Sequence, residues 1–291
     1  MTVTDAIAFG RDRLRTFGTD GRFDALRLLE ETLERDASWI IAHGEDPLSP
    51  AQTQRYETDI GRRATGEPVA YIVGSAGFYG RTFVVSPDVL VPRPESEGVV
   101  EIALGSLRAG PVAVCDVGTG SGVLALTLAC ERADASVTAI DVSPAALAIA
   151  RTNAGRLGVA QRVRFVMGNA LDELALEDRF DCIVANLPYV RRGDLNPAPD
   201  ATAFEPVLAL DGGDDGLDVY RALLARAPAH LRAGGTLVME AGPDTVPALA
   251  TLAEATFAAP AEIVVHRDLA LHERIVVVHL KPAAPPAIGQ G

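Results

Sequence analysis

Residues 112–129 read VAVCDVGTGSGVLALTLA. A short apolar run meets a loop with Gly118, Gly120 and Gly122 at alternate positions, and a second apolar run of helical length follows. Strand, glycine loop and helix in that order define a βα unit, because the glycines let the backbone turn tightly and come close to a ligand. The alternation continues downstream. Apolar runs at 112–116, 136–141, 162–166, 181–185, 235–240, 261–266 and 274–280 predict seven strands, with helices between the earlier ones. That is the pattern of a parallel α/β sheet. Only Arg267 to Glu273 separates the last two runs, too little for a crossover, so those strands should pair antiparallel.

Upstream the pattern is different. Residues 1–75 read as a small helical domain, with Leu26, Leu29 and Leu33 at helical spacing and a Ser49-Pro50 start closed by Gly66. Residues 76–94 read as a linker, a β-hairpin turning around Ser86-Pro87-Asp88 and stopped by Pro92 and Pro94. A helix should resume from Glu95 to Leu104, opening the α/β domain of residues 95–281. The Pro- and Ala-rich residues 282–291 read as a disordered tail. With 48% hydrophobic residues, 291 residues suffice for a main core and a smaller one.

The first twenty residues carry charges throughout and no run nears the roughly 18 apolar residues of a membrane span, so no signal peptide and no membrane are expected. Cys115, Cys130 and Cys182 lack CxxC spacing and read as buried thiols in a cytoplasmic protein, and the five histidines show no metal pattern. The net charge of −13 counts against a broad nucleic-acid footprint. A monomer is expected.

The glycine loop alone would serve a dinucleotide or a tight turn equally well. Asp116, directly before it, would repel a pyrophosphate. Asp141 ends the second strand, 21 residues past Gly120, where a carboxylate can accept ribose hydroxyls or else cap the helix that follows. An acid beside the glycines suits a cation without phosphates, and S-adenosylmethionine is such a ligand. Asp116, Gly118, Thr119, Gly120, Ser121, Gly122 and Asp141 are its candidate contacts. Asn169, after the third strand, either hydrogen-bonds the adenine edge or is an ordinary loop residue.

The fourth strand stops at Asn186-Leu187-Pro188-Tyr189. Asn and Pro favour turns, but a turn alone does not explain why the tetrad follows this strand. In a doubly wound sheet the fourth strand lies beside the first, which sets Asn186 against the cofactor. The Asn186 side-chain oxygen and the Leu187 carbonyl could accept both hydrogens of a planar NH2 group. Pro188 would stiffen the backbone, and the Tyr189 ring could stack on a flat substrate.

With these motifs the chain resembles the HemK-type protein-glutamine methyltransferases. The likeness runs from RRATGEPVAYIVGSAGFYGRTFVVSPDVLVPRPESE through DVGTGSG and AIDVSPAALAIARTNA to FEPVLALDGGDDGLDVYRALL, LRAGGTLVMEAG and HRDLALHERIVVV. It implies a seven-stranded, Rossmann-like class I S-adenosylmethionine-dependent methyltransferase domain behind a helical domain that recognises the substrate. It also implies methylation of the glutamine in the Gly-Gly-Gln loop of peptide-chain release factors. Asn186, Leu187, Pro188 and Tyr189 stand at the family's NPPY tetrad, with Leu187 for its first proline. Asn169 and Ala170 stand where an Asp and an adenine-packing aromatic are usual. The spelling NLPY also occurs in ribosomal-RNA adenine dimethyltransferases. Two alternatives therefore stay open, a diverged N-methyltransferase acting on a small molecule or another protein, and a nucleic-acid adenine N-methyltransferase.

Overall fold

The computed structural model describes residues 1–16, 21–195, 201–257 and 261–281. The tail expected at 282–291 lies outside them. The described residues form two compact units. One is built on residues 1–75 with 85–87 and 201–205, the other on 76–84, 88–195 and the residues from Pro206 onward. No helix among the described residues is long and apolar enough to cross a membrane.

The first unit is helical: α1 (Val3–Arg13), α2 (Gly21–Leu33), α3 (Ala37–Ala42), α4 (Pro50–Ala64) and α5 (Val69–Val73). Its helix starts follow the capping chemistry of the sequence. Ser49 accepts the Gln52 backbone N–H while Gln52 returns the bond, and Pro50 occupies the first helical turn. Leu28, Leu29, Ile40, Tyr56 and Ile60 are fully buried between these helices. On α2 the buried stripe runs through Ala25, Leu28 and Leu29, while Leu26 and Leu33 lie at its margin.

In the second unit a two-stranded hairpin, β1 (Ser75–Phe78) and β2 (Arg81–Val84), precedes α6 (Glu97–Ser106). The hairpin turns at Tyr79-Gly80, not at Ser86-Pro87-Asp88. Both turn residues have positive φ, 49° and 70°, as a tight turn between twisted strands requires. Residues 76–84 are no linker either. Phe78 and Phe83 are buried in the α/β core, and this is what fixes the hairpin there.

The remaining elements alternate as expected: β3 (Val112–Val117), α7 (Val123–Glu131), β4 (Ala135–Asp141), α8 (Pro144–Arg156), β5 (Val163–Met167), β6 (Phe180–Asn186), α9 (Asp218–His230), β7 (Leu231–Glu240), α10 (Val246–Thr256), β8 (Ala261–Arg267) and β9 (Glu273–Leu280). Their order in the sheet is β5-β4-β3-β6-β7-β9-β8. The first five strands run parallel, and β9 pairs antiparallel with both β7 and β8. β7 starts four residues before the predicted 235. Ala233-Gly234-Gly235 reads as a turn, yet Leu231 already pairs with Phe180 through a register shift. The chain order reverses between β4-β3 and β3-β6, so the carboxyl ends of β3 and β6 open side by side. That is where open α/β sheets bind ligands.

Candidate active site

The β3–α7 loop is built around Asp116. This carboxylate is fully buried, and its Oδ2 accepts the Thr119 hydroxyl at 2.6 Å and the Ala125 N–H at 3.1 Å. Its Oδ1 is buried without a partner among the described residues. Burial pushes the Asp116 pKa up to about 7, with the Thr119 and Ala125 bonds pulling the other way. Such a group either keeps a proton or waits for a cation. Gly118 and Gly120 take φ of 75° and 55°, and a Cβ on Gly120 would meet nothing within 4 Å. The loop is therefore open at Gly120.

Asp141, at the end of β4, is tied into the same loop. Its Oδ2 accepts the Gly120 N–H at 2.8 Å and its Oδ1 the Ser143 N–H at 2.9 Å. The cap of α8 is Ser143, so Asp141 is not the capping residue. Each carboxylate oxygen has a further lone pair to offer. Asn169 is exposed on the loop after β5, while Ala170 is buried in the core with φ 49°. A residue the sequence reading passed over, Asn153 on α8, braces the loop from behind. Its Nδ2 donates to the Ser121 carbonyl at 2.9 Å and the Val84 carbonyl at 3.0 Å, and its Oδ1 accepts the Val84 N–H at 2.7 Å. Asn153 is a polar side chain only 1% exposed, on the buried face of α8.

The tetrad closes the other side. Asn186 ends β6, one residue beyond the pair Val117–Ala185 that joins it to β3. Its Nδ2 donates to the Ser96 hydroxyl at 3.0 Å, leaving Oδ1 without a partner among the described residues. Leu187 is buried and its N–H donates to the Tyr220 hydroxyl at 3.3 Å. That phenol has one proton and two carbonyls in reach, Glu240 closest and Leu187 at 3.2 Å. Giving it to Glu240 leaves the Leu187 carbonyl able to accept.

Glycines crowd this backbone. A Cβ on Gly212 would stand 2.7 Å from the Pro188 carbonyl oxygen, and one on Gly216 would stand 2.5 Å from that of Tyr189. The Tyr189 ring packs 3.1 Å from where a Gly242 Cβ would be. Burial raises the Tyr189 pKa, with the nearby Glu240 adding to the shift. Ser96, Tyr220 and Glu240 were also missed as site residues. A cavity of about 780 Å³ bounded by Arg108, Ala113, Asp134, Asp181 and Arg232 lies at the amino ends of the strands, away from this chemistry.

Taken together, a buried carboxylate with one oxygen unpartnered among the described residues, an open glycine loop and an acid at the next strand end fit a cationic nucleoside ligand. The comparisons agree. Residues 5–74 match the family described as PrmC N-terminal domain, and residues 111–258 match the one described as Methyltransferase domain. The chain is 43% identical over 287 residues to the release factor glutamine methyltransferase of Cereibacter sphaeroides, covering 98% of this chain and 100% of that one. It is 44% identical to the Xylella fastidiosa protein of the same name, over 88% and 92% of the two chains. Among solved structures, a Pyrococcus furiosus methyltransferase matches with a TM-score of 0.52 at 20% identity, over 76% of this chain and 98% of that one. A T. thermophilus 16S rRNA methyltransferase in complex with AdoMet and guanosine matches with a TM-score of 0.52 at 22% identity, over 71% and 50%. These last two share the fold.

Proposed function

Because this chain belongs to the release factor glutamine methyltransferase family, we propose that it methylates the side-chain amide of the glutamine in the Gly-Gly-Gln loop of a release factor, with the Asn186–Tyr189 tetrad as its amide-binding site. It is an S-adenosylmethionine-dependent protein-glutamine N-methyltransferase. When bound, the cofactor supplies an electrophilic methyl group on a sulfonium. Asp116 Oδ1 offers an anionic partner to its ammonium group, and Asp141 offers lone pairs to its ribose hydroxyls.

A glutamine amide nitrogen is a weak nucleophile because its lone pair is delocalised into the carbonyl. Asn186 Oδ1 and the Leu187 carbonyl can accept its two N–H groups together, which aims the nitrogen lone pair and favours pyramidalisation. No strong base is required, since the nitrogen becomes acidic once it carries the methyl group. The chain's contribution is positioning and exclusion of water. The observation that carries this reading is Asn186 Oδ1, without a partner among the described residues, at the carboxyl end of β6 beside the glycine loop. The acidic chain needs no nucleic acid for this reaction, and we assign residues 1–75 to recognition of the release factor. Incubation of the full chain with methyl-labelled S-adenosylmethionine and purified release factor tests it. Label should enter the Gly-Gly-Gln peptide and vanish when that glutamine is replaced by glutamate. Label in RNA, or in the glutamate form, contradicts the assignment.

A further inference from the structure

The two ends of an asparagine amide are nearly the same shape, so its surroundings decide which end faces a ligand. Asn186 Nδ2 donates to Ser96 Oγ at 3.0 Å. Ser96 is 3% exposed and has one hydroxyl proton to give. Its other polar neighbour is the Glu240 carboxylate, near enough for the Ser96 hydroxyl to lower the Glu240 pKa. Glu240 stands directly across from Asn186 in the β6–β7 pairing and is itself buried. An ionised carboxylate only accepts, so the Ser96 proton goes to Glu240 and only oxygen lone pairs remain for Asn186. The amide nitrogen must then turn inward.

We propose that Ser96 and Glu240 are positioning residues that hold the Asn186 amide oxygen toward the substrate. The proposal rests on the reading of Asn186 given above. Burial raises the Glu240 pKa to about 7, the largest influence on it, and Glu240 Oε2 is buried without a partner among the described residues. Arg274 on β9 and Arg93 before α6 favour the ionised form, while Glu95 opposes it, and Tyr189 and Tyr220 are the remaining titratable neighbours. A protonated Glu240 can donate to Ser96. The Ser96 proton is then free to seek the Asn186 oxygen, and the amide turns the wrong end outward.

The test uses the full chain and the variants Ser96→Ala, Ser96→Thr and Glu240→Gln. Turnover of release factor at saturating S-adenosylmethionine is measured against pH, together with the 15N-resolved side-chain amide signals of Asn186, assigned by their loss in Asn186→Ala. Ser96→Ala should lower kcat roughly tenfold or more with little change in KM or thermal midpoint, and Ser96→Thr should restore it. In the wild type, kcat should fall as pH drops through about 7, and the Asn186 amide signals should move over the same range. Glu240→Gln should abolish both pH dependences. Wild-type kcat in Ser96→Ala, or an acid limb that survives in Glu240→Gln, overturns the proposal. The amide signals need no substrate. A wild-type chain that labels no release factor would overturn the function proposed above, and the signals alone would then decide the relay.

Discussion

A Cβ built on Gly118 would stand 2.7 Å from Cδ2 of Leu187. The glycine loop and the Asn186–Tyr189 tetrad thus touch through a glycine and a leucine that is 3% exposed. Gly118→Ala meets two penalties, a left-handed φ of 75° costing about 1–2 kcal/mol and an overpacked contact costing about 1–3 kcal/mol. Denaturant unfolding should show the loss, and turnover should fall further than stability does because the tetrad is pushed from its place.

If Asp116 meets the ammonium group as proposed, cofactor binding should depend on pH. Its unliganded pKa is about 7, and a bound cation lowers it, so binding releases a proton. Affinity for S-adenosylmethionine should rise by at most about tenfold per pH unit toward 7 and level off above it. The sign for stability is opposite. A carboxyl whose folded pKa is raised loses stability as pH climbs from the ordinary carboxylate range to about 7. Calorimetry in buffers of different ionisation enthalpy reads the proton, and Asp116→Asn should give weak, pH-independent binding.

Asp141→Ala removes two partners at once, the acceptor of the Gly120 N–H and the group proposed for the ribose. The lost charge-assisted bonds are worth roughly 1.5–3 kcal/mol in cofactor affinity. Calorimetry showing unchanged affinity would remove Asp141 from the site.

Asn186→Ala should abolish turnover while the fold survives. The missing acceptor leaves a substrate N–H unpaired at a cost of about 1–3 kcal/mol, and misaimed geometry costs up to roughly a hundredfold more in rate. Asn186→Asp keeps an acceptor but sets a negative charge near the sulfonium, favouring the charged ground state, so a slow enzyme with undiminished cofactor binding is expected. Single-turnover kinetics separates the two variants.

Leu187→Pro restores the family's usual spelling but is not neutral here. Proline has no N–H for the Tyr220 hydroxyl, and a buried leucine is lost from the contact with Gly118. A stability loss of about 1–3 kcal/mol is expected by denaturant titration.

The fold was legible because its signals are local. Apolar runs bounded by turn residues located all seven strands of the main sheet, and the Arg267–Glu273 spacing gave the antiparallel end. The hairpin turn was misplaced because Ser-Pro-Asp looks like a turn, while Tyr79 with positive φ is a choice only the packing of Phe78 and Phe83 makes intelligible. In the site, Asp116, Asp141 and Asn186 stood out because acids and amides at strand ends are conspicuous. Ser96, Asn153, Tyr220 and Glu240 did not, since each works through a partner 32 to 90 residues away in sequence or in the neighbouring strand.

β9 is the last described strand, yet it lies between β7 and β8. On a ribosome, a nascent chain that has emerged only through β8 cannot complete the sheet, because β7 has no neighbour on its outer edge. Val276, Val277 and Val278, all fully buried, arrive last and close both gaps together. Until then the chain carries an unpaired hydrophobic edge of the kind that recruits other chains. A ribosome stalled short of Glu273 would hold out a methyltransferase with its glycine loop and tetrad already made, and no finished sheet to support them.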